Sequence, residues 1–228
     1  MIQNIIFDMD GTLYSSEDMI LPTYERGIAN FKKENIHVDV PYPTLEKIVS
    51  LLGFPIHDIY STLFPSLNGD QQKELRGYIL KELLSAIRNK EGILFNDVSN
   101  IIHNLYNNNY TLFIASNGQK EYLNAILETY SLTSLFQPLI TLNYTTICDK
   151  GDILLEYQKA YHFEKESVIM VGDRDSDWDA AKKLGCSFIG CHYGHGDHAE
   201  IATAEHIIYS FKELPPKINT LSQQKKPT

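Results

Sequence analysis

The chain has 228 residues, enough for one large domain or for a core carrying a smaller insert. Hydrophobic residues at 43%, charged residues at 21% and a mean hydropathy of -0.24 are ordinary globular values and exclude a disordered, fibrous or collagen-like chain. Twenty Lys and Arg against 29 Asp and Glu leave a formal charge of -9, a field that repels a phosphate backbone and argues against nucleic acid as a partner.

The opening MIQNIIFDMDG has no basic stretch and meets Asp8 and Asp10 too early for a signal peptide. No apolar run approaches the roughly 18 residues of a membrane helix, so no membrane partner is expected. Three cysteines, Cys148, Cys186 and Cys191, do not make a disulfide framework, and the expected location is cytoplasmic.

The first expected strand is Asn4 to Asp8. From about Ser15 to Lys90 only helical periodicities appear. Ile20, Leu21, Tyr24, Ile28 and Phe31 form one face, Leu45, Ile48, Val49 and Leu52 a second, and Leu75, Ile79, Leu83 and Ile87 a third, with Gly53, Phe54 and Pro55 interrupting after the second. Further on, helices with apolar positions Val98, Ile101, Ile102, Leu105, then Leu123, Ile126, Leu127, Tyr130, then Ile153, Leu154, Tyr157, Tyr161 alternate with apolar runs. The runs are expected strands at Tyr110 to Ser116, Pro138 to Leu142, Ser167 to Val171 and Ser187 to Cys191, with a sixth at His206 to Tyr209. Such alternation marks βαβ units. The expected fold class is α/β, a doubly wound, Rossmann-like parallel sheet core over residues 1–14 and 91–228, with an inserted α-helical domain at 15–90. The polar, basic tail from Ser222 to Thr228 is expected to fray.

The chemistry-bearing residues cluster at strand ends, where open α/β sheets bind ligands. Asp8 and Asp10, two residues apart, suggest a bound cation, a held proton, or both, although an Asx turn also favours Asp and Gly. Ser116, Asn117 and Gly118 precede a helix N-terminus, where backbone N–H groups attract anions; a plain helix cap is the alternative. Lys150 opens a helix against its dipole, so its position wants a reason beyond helix stability, such as a phosphate; a solvated lysine is the other reading. Asp173, Asp175, Asp177 and Asp179 follow another strand, a pattern suited to a divalent cation such as Mg²⁺. Helix capping accounts well for Asp177 and Asp179 and poorly for Asp173.

In order, Asp8-Met9-Asp10-Gly11-Thr12-Leu13, Ser116-Asn117-Gly118, Lys150, and Gly172-Asp173 followed by Asp177 resemble the four motifs of the haloacid dehalogenase-like superfamily of phosphatases. The helical insert resembles the small cap of its phosphoglycolate phosphatase and β-phosphoglucomutase branch. The resemblance implies Asp8 as nucleophile forming an aspartyl-phosphate, and Asp10 as general acid and base. Mg²⁺ would be held by Asp8, the backbone carbonyl of Asp10, Asp173 and Asp177, and the phosphoryl oxygens by Thr12, Ser116, Asn117 and Lys150. An acid at Asp10 also points away from the dehalogenating and transport-ATPase members. The implied activity is hydrolysis of a small phosphorylated metabolite. A phosphomutase using the same residues, or an idle binding module on the same fold, stays open.

Against this pattern, Ser15, Arg174 and Asn96-Asp97 depart from the residues many relatives carry, without touching the expected catalytic set. Cys191, His192, His195 and His198 fit no standard zinc spacing, and the histidines read as solvated loop residues, with His195 near the site. Trp178 reads as core, Arg26, Arg76 and Arg88 as cap cations that could face a substrate, and Phe54 as either a lid over the site or cap core.

Overall fold

The computed structural model of the protein describes residues 1–202 and 204–224. In chain order it runs β1 (Asn4–Phe7), β2 (Tyr14–Ser15), α1 (Glu17–Glu34), α2 (Leu45–Val49), α3 (Ile56–Leu63), α4 (Gly69–Arg88), β3 (Ile93–Leu94), α5 (Val98–Asn107), β4 (Thr111–Ile114), α6 (Lys120–Thr129), α7 (Lys150–Tyr161), β5 (Val168–Gly172), α8 (Asp175–Leu184), β6 (Ser187–Cys191), α9 (His198–Ile201), β7 (Ile207–Ile208) and α10 (Leu214–Gln224).

Five strands form one parallel sheet in the order β4-β1-β5-β6-β7. Each central strand buries both faces, which is why the strands read as unbroken apolar runs. Alternate residues feed two cores. Ile5, Phe7, Leu112, Ile114, Ile169 and Val171 join α5, α6 and α10 on one side; Ile6, Phe113, Val168 and Met170 join α7 and α8 on the other. A third core, around Ile20, Tyr24, Phe31, Ile59, Leu63, Leu75 and Ile79, belongs to α1, α3 and α4. Gly27 lets α1 and α4 approach closely, since a side chain there would collide with Ile79.

Four expectations differ from what is observed. Pro138 to Leu142 is not a strand. The chain pairs with β4 just before it, in a bridge between Leu112 and Phe136, and goes no further because Pro138 has no N–H to give and the Tyr157 hydroxyl stands in for the ladder, within hydrogen-bond distance of Ile114 O (3.0 Å) and Pro138 O (3.2 Å) and accepting from Ile140 N (3.0 Å). The region read as purely helical is framed by an antiparallel pair, Tyr14 with Leu94 and Ser15 with Ile93. It also holds a fourth helix, α3, opened by Pro55, with Ile56, Ile59, Tyr60 and Leu63 at helical spacing. Finally, Ser222 to Gln224, read as part of a polar tail, belong to α10, while residues 225–228 lie outside the described residues.

Candidate active site

The parallel register sets the strand ends level. Asp8 N donates to Val171 O (2.9 Å) and Ala115 N to Phe7 O (2.8 Å), so Asp8, Ser116 and Asp173 emerge from adjacent strands at one edge of the sheet. Beyond Asp8 the chain turns tightly, with the Met9 carbonyl accepting from Leu13 and Tyr14 N–H at 2.9 Å each. Gly11 takes a left-handed conformation (φ +81°), and a side chain there would overlap the Asp173 carboxylate, so glycine is required on both counts.

Lys150 is the first residue of α7, whose N-terminus is closed by a reciprocal pairing of Asp149 and Asp152. Its ammonium is buried, 3.0 Å from Asp8 Oδ1 and 2.7 Å from Asp177 Oδ1. These two anions are the reason a cation sits in this unfavourable helical position. Burial alone would lower the Lys150 ammonium, but Asp177 and Asp8 outweigh it and hold it well above the usual lysine range. Asp177 spends its other oxygen on the N–H groups of Asp173 (3.1 Å) and Arg174 (3.0 Å). Asp173 accepts from Thr12 Oγ1 (3.2 Å), His195 N (2.8 Å) and Gly196 N (3.1 Å).

Asp8 differs from both. It is 1% exposed, and apart from the Lys150 ammonium 3.0 Å from Oδ1 neither of its oxygens has a hydrogen-bond partner. Burial, against the pull of Lys150, raises Asp8 to about 6 and Asp177 to about 6; burial and Asp177 also raise Asp173. Oxygens of Asp8, Asp173 and Asp177 lie within 4.8 Å of one another. Three converging buried carboxylates, one with an orphaned oxygen, form a hard-oxygen donor set that fits a divalent cation.

Asp10 faces a different neighbourhood. Its Oδ1 accepts from Tyr122 Oη at 2.6 Å and from Ser16 Oγ at 3.4 Å. Burial raises its carboxyl despite the Tyr122 bond, which favours the protonated form a general acid needs. With Oδ1 occupied as an acceptor, the proton belongs on Oδ2. Tyr122 was not among the expected site residues. Its signal is weak: it is one more aromatic on an amphipathic helix, distinguished only by the need of a buried Tyr hydroxyl for a partner.

The other side chains singled out from the sequence have these partners. The Thr12 hydroxyl serves Asp173, and Ser116 Oγ accepts from Gly118 N at 3.1 Å. Asn117 Nδ2 donates to Gly53 O at 2.7 Å, leaving Asn117 Oδ1 buried without a partner. His195 is not solvated: its side chain is 2% exposed, with Nδ1 2.8 Å from Glu17 Oε1. Arg174 ties the loop after β5 to the segment Leu52 to Pro55, with Nη1 donating to Leu52 O (2.7 Å), Nε paired with Glu200 (2.9 Å) and the guanidinium over the Phe54 ring. Trp178 stacks on Phe188 and carries Lys182 over its ring. Arg26 pairs with Glu82, and neither it nor Arg76 or Arg88 lines the cavity beside Asp10. A roomier cavity of about 470 Å³, lined by none of Asp8, Asp10, Asp173 and Asp177, lies against Trp178, Cys186, Phe188 and His206. No helix among the described residues is long and apolar enough to cross a membrane.

Residues 5–191 match the family described as haloacid dehalogenase-like hydrolase. A pyrophosphatase PpaX of Listeria welshimeri is 25% identical over 79% of this chain and 79% of its own length. A phosphoglycolate phosphatase of Aliivibrio fischeri is 25% identical over 93% of this chain and 95% of its own. Among solved structures, a protein described as a predicted phosphoglycolate phosphatase of Haemophilus somnus superposes with a TM-score of 0.81 at 17% identity, covering 95% of this chain and 98% of that one.

Proposed function

The chain belongs to the haloacid dehalogenase-like hydrolases, as a phosphatase of that family, and on this premise we propose that it hydrolyses a small phosphorylated metabolite through a phosphoryl group carried on Asp8, with Mg²⁺ as cofactor. The observation that carries the reading is Asp8 itself: a buried carboxylate with the Lys150 ammonium on Oδ1, no donor on Oδ2, and a 4.8 Å cluster shared with Asp173 and Asp177.

In the first half-reaction an Asp8 oxygen attacks phosphorus in line. The bond to the ester oxygen breaks, and Asp10 gives its proton to the departing alkoxide. In the second, water attacks the same phosphorus, Asp10 takes a proton from it, and the Asp8–phosphorus bond breaks to release inorganic phosphate. Lys150 remains charged throughout and holds an equatorial phosphoryl oxygen while bridging Asp8 and Asp177. The Asp177 carboxylate orients Lys150 and the turn at Asp173. Tyr122 and Ser16 keep the proton-bearing oxygen of Asp10 free for the leaving group. A divalent cation, when bound, would be held by Asp8, Asp173 and the Asp10 carbonyl, with Asp177 behind them, and would neutralise charge at the phosphoryl oxygens. Residues 15–90 act as a cap, fastened at Leu52 and Gly53 to Arg174 and Asn117, which keeps bulk water from the phosphorylated Asp8.

Asp8→Asn is expected to abolish Mg²⁺-dependent phosphate release from a generic ester while the circular dichroism spectrum stays that of the parent. Near-normal turnover in that variant, or undiminished turnover in chelator, overturns the reading.

A further inference from the structure

We propose that the part of the substrate leaving with the ester oxygen is small, uncharged and largely apolar, an inference that rests on the phosphatase reading above. A general acid must reach the ester oxygen, so the leaving group lies on the side of Asp10 remote from Asp8 and Lys150. There a cavity of about 70 Å³ adjoins Asp10 and Asn117. Its wall is built by the helical insert from Ile20, Tyr24, Phe54, Ile59, Leu80 and Leu83.

No Lys, Arg or His among the described residues lines this cavity, and Asp10 is its one carboxyl. The basic side chains of the site have other partners: His195 Nδ1 lies 2.8 Å from Glu17 Oε1. Lys150 serves Asp8 and Asp177; Arg174 serves Glu200 and Leu52 O and lies over Phe54. Asn117 offers a bare acceptor, Oδ1, to any group nearby. A carboxylate or second phosphate in this space would lose its water and meet no cation, only the neutral polar groups of Tyr24, Ser116, Asn117, Gln119 and Tyr122 beside the Asp10 carboxyl, which is strongly unfavourable. An alkyl or aryl body gains by burial against the same wall, and a single hydroxyl on it could satisfy Asn117 Oδ1. The leaving groups implied by pyrophosphate and phosphoglycolate, the substrates in the names of the two relatives above, are both anionic and therefore fit this wall poorly.

The test uses the full chain with Mg²⁺ and two probe sets. Benzyl phosphate is compared with phosphoglycolate and pyrophosphate for turnover, and benzylphosphonate with phosphonoacetate for binding by calorimetry, since neither phosphonate can be hydrolysed as an ester. The neutral-bodied member of each set is expected to lead by at least about tenfold, in kcat/KM and in Kd respectively. Leu80→Lys, which adds a cation to the wall, is expected to narrow the phosphonate ratio by about tenfold. Equal or tighter binding of phosphonoacetate, or faster turnover of phosphoglycolate, overturns the inference and leaves the phosphatase reading standing. If no ester is turned over, the phosphatase reading falls, and the phosphonate pair still decides what the wall prefers.

Discussion

Replacing Lys150 by Met tests what holds the acid cluster together without metal. The two side chains are similar in length, so little volume is lost, and the change removes one positive charge 3.0 Å from Asp8 Oδ1 and 2.7 Å from Asp177 Oδ1. All three side chains are at most 1% exposed, so solvent screens almost none of the interaction. Removing one partner from a buried ion pair costs about 3–5 kcal/mol, and at ~2–4 °C per kcal/mol for a chain of this size the melting temperature should fall by about 6–20 °C. The pH dependence has a definite sign. In the folded parent, Asp8 and Asp177 titrate at about 6, above the 3.8 of an ordinary Asp. The native state therefore binds these protons more tightly, and its stability declines as pH rises from 3.8 through about 6 and levels off above. Without Lys150 both carboxyls rise further, so the deficit of the variant is greater at pH 8 than at pH 5, where protonation relieves it. Urea unfolding of both proteins in chelator at the two pH values reads this directly, and added Mg²⁺ should restore part of the loss. A deficit under about 1 kcal/mol at pH 8, the size of an exposed pair, or a deficit larger at pH 5, refutes the reasoning.

Losing the general acid in Asp10→Asn should lower kcat by at least ~10²-fold, and Tyr122→Phe, which removes only the bond that orients it, by about tenfold, with KM moved less in both; a Tyr122→Phe enzyme with the parent kcat contradicts the role given to that hydroxyl. At Gly194 a methyl group would overlap the Asp173 carboxylate and the Gly11 carbonyl. Gly194→Ala should therefore raise the Mg²⁺ concentration for half-maximal activity, and an unchanged Mg²⁺ titration refutes the assignment of Asp173 to the metal.

What could be read from residues alone follows physical range. Ser187 to Cys191 is legible as a strand because burial on both faces leaves an uninterrupted apolar run. Pro138 to Leu142 is a comparably apolar run and fails, since its pairing is decided by a missing N–H and by a tyrosine that approaches from α7. The two-residue pairing of Tyr14 and Ser15 with Leu94 and Ile93 is too short to leave any periodicity. The acids are legible because each follows a strand directly, and a parallel sheet brings such ends together. Tyr122 lies 112 residues from its partner Asp10, and no local pattern links them. The fastening of Leu52 and Gly53 by Arg174 and Asn117 is hidden for the same reason: backbone carbonyls carry no residue signature.

The claim on which everything rests is that Asp8 carries the phosphoryl group beside a metal shared with Asp173. Crystals grown with Mg²⁺ and beryllofluoride test it most directly. Beryllium bonded to an Asp8 oxygen, with one metal ion bridging Asp8 and Asp173, is the predicted result; a bare Asp8 carboxylate with beryllofluoride absent or bound elsewhere contradicts it.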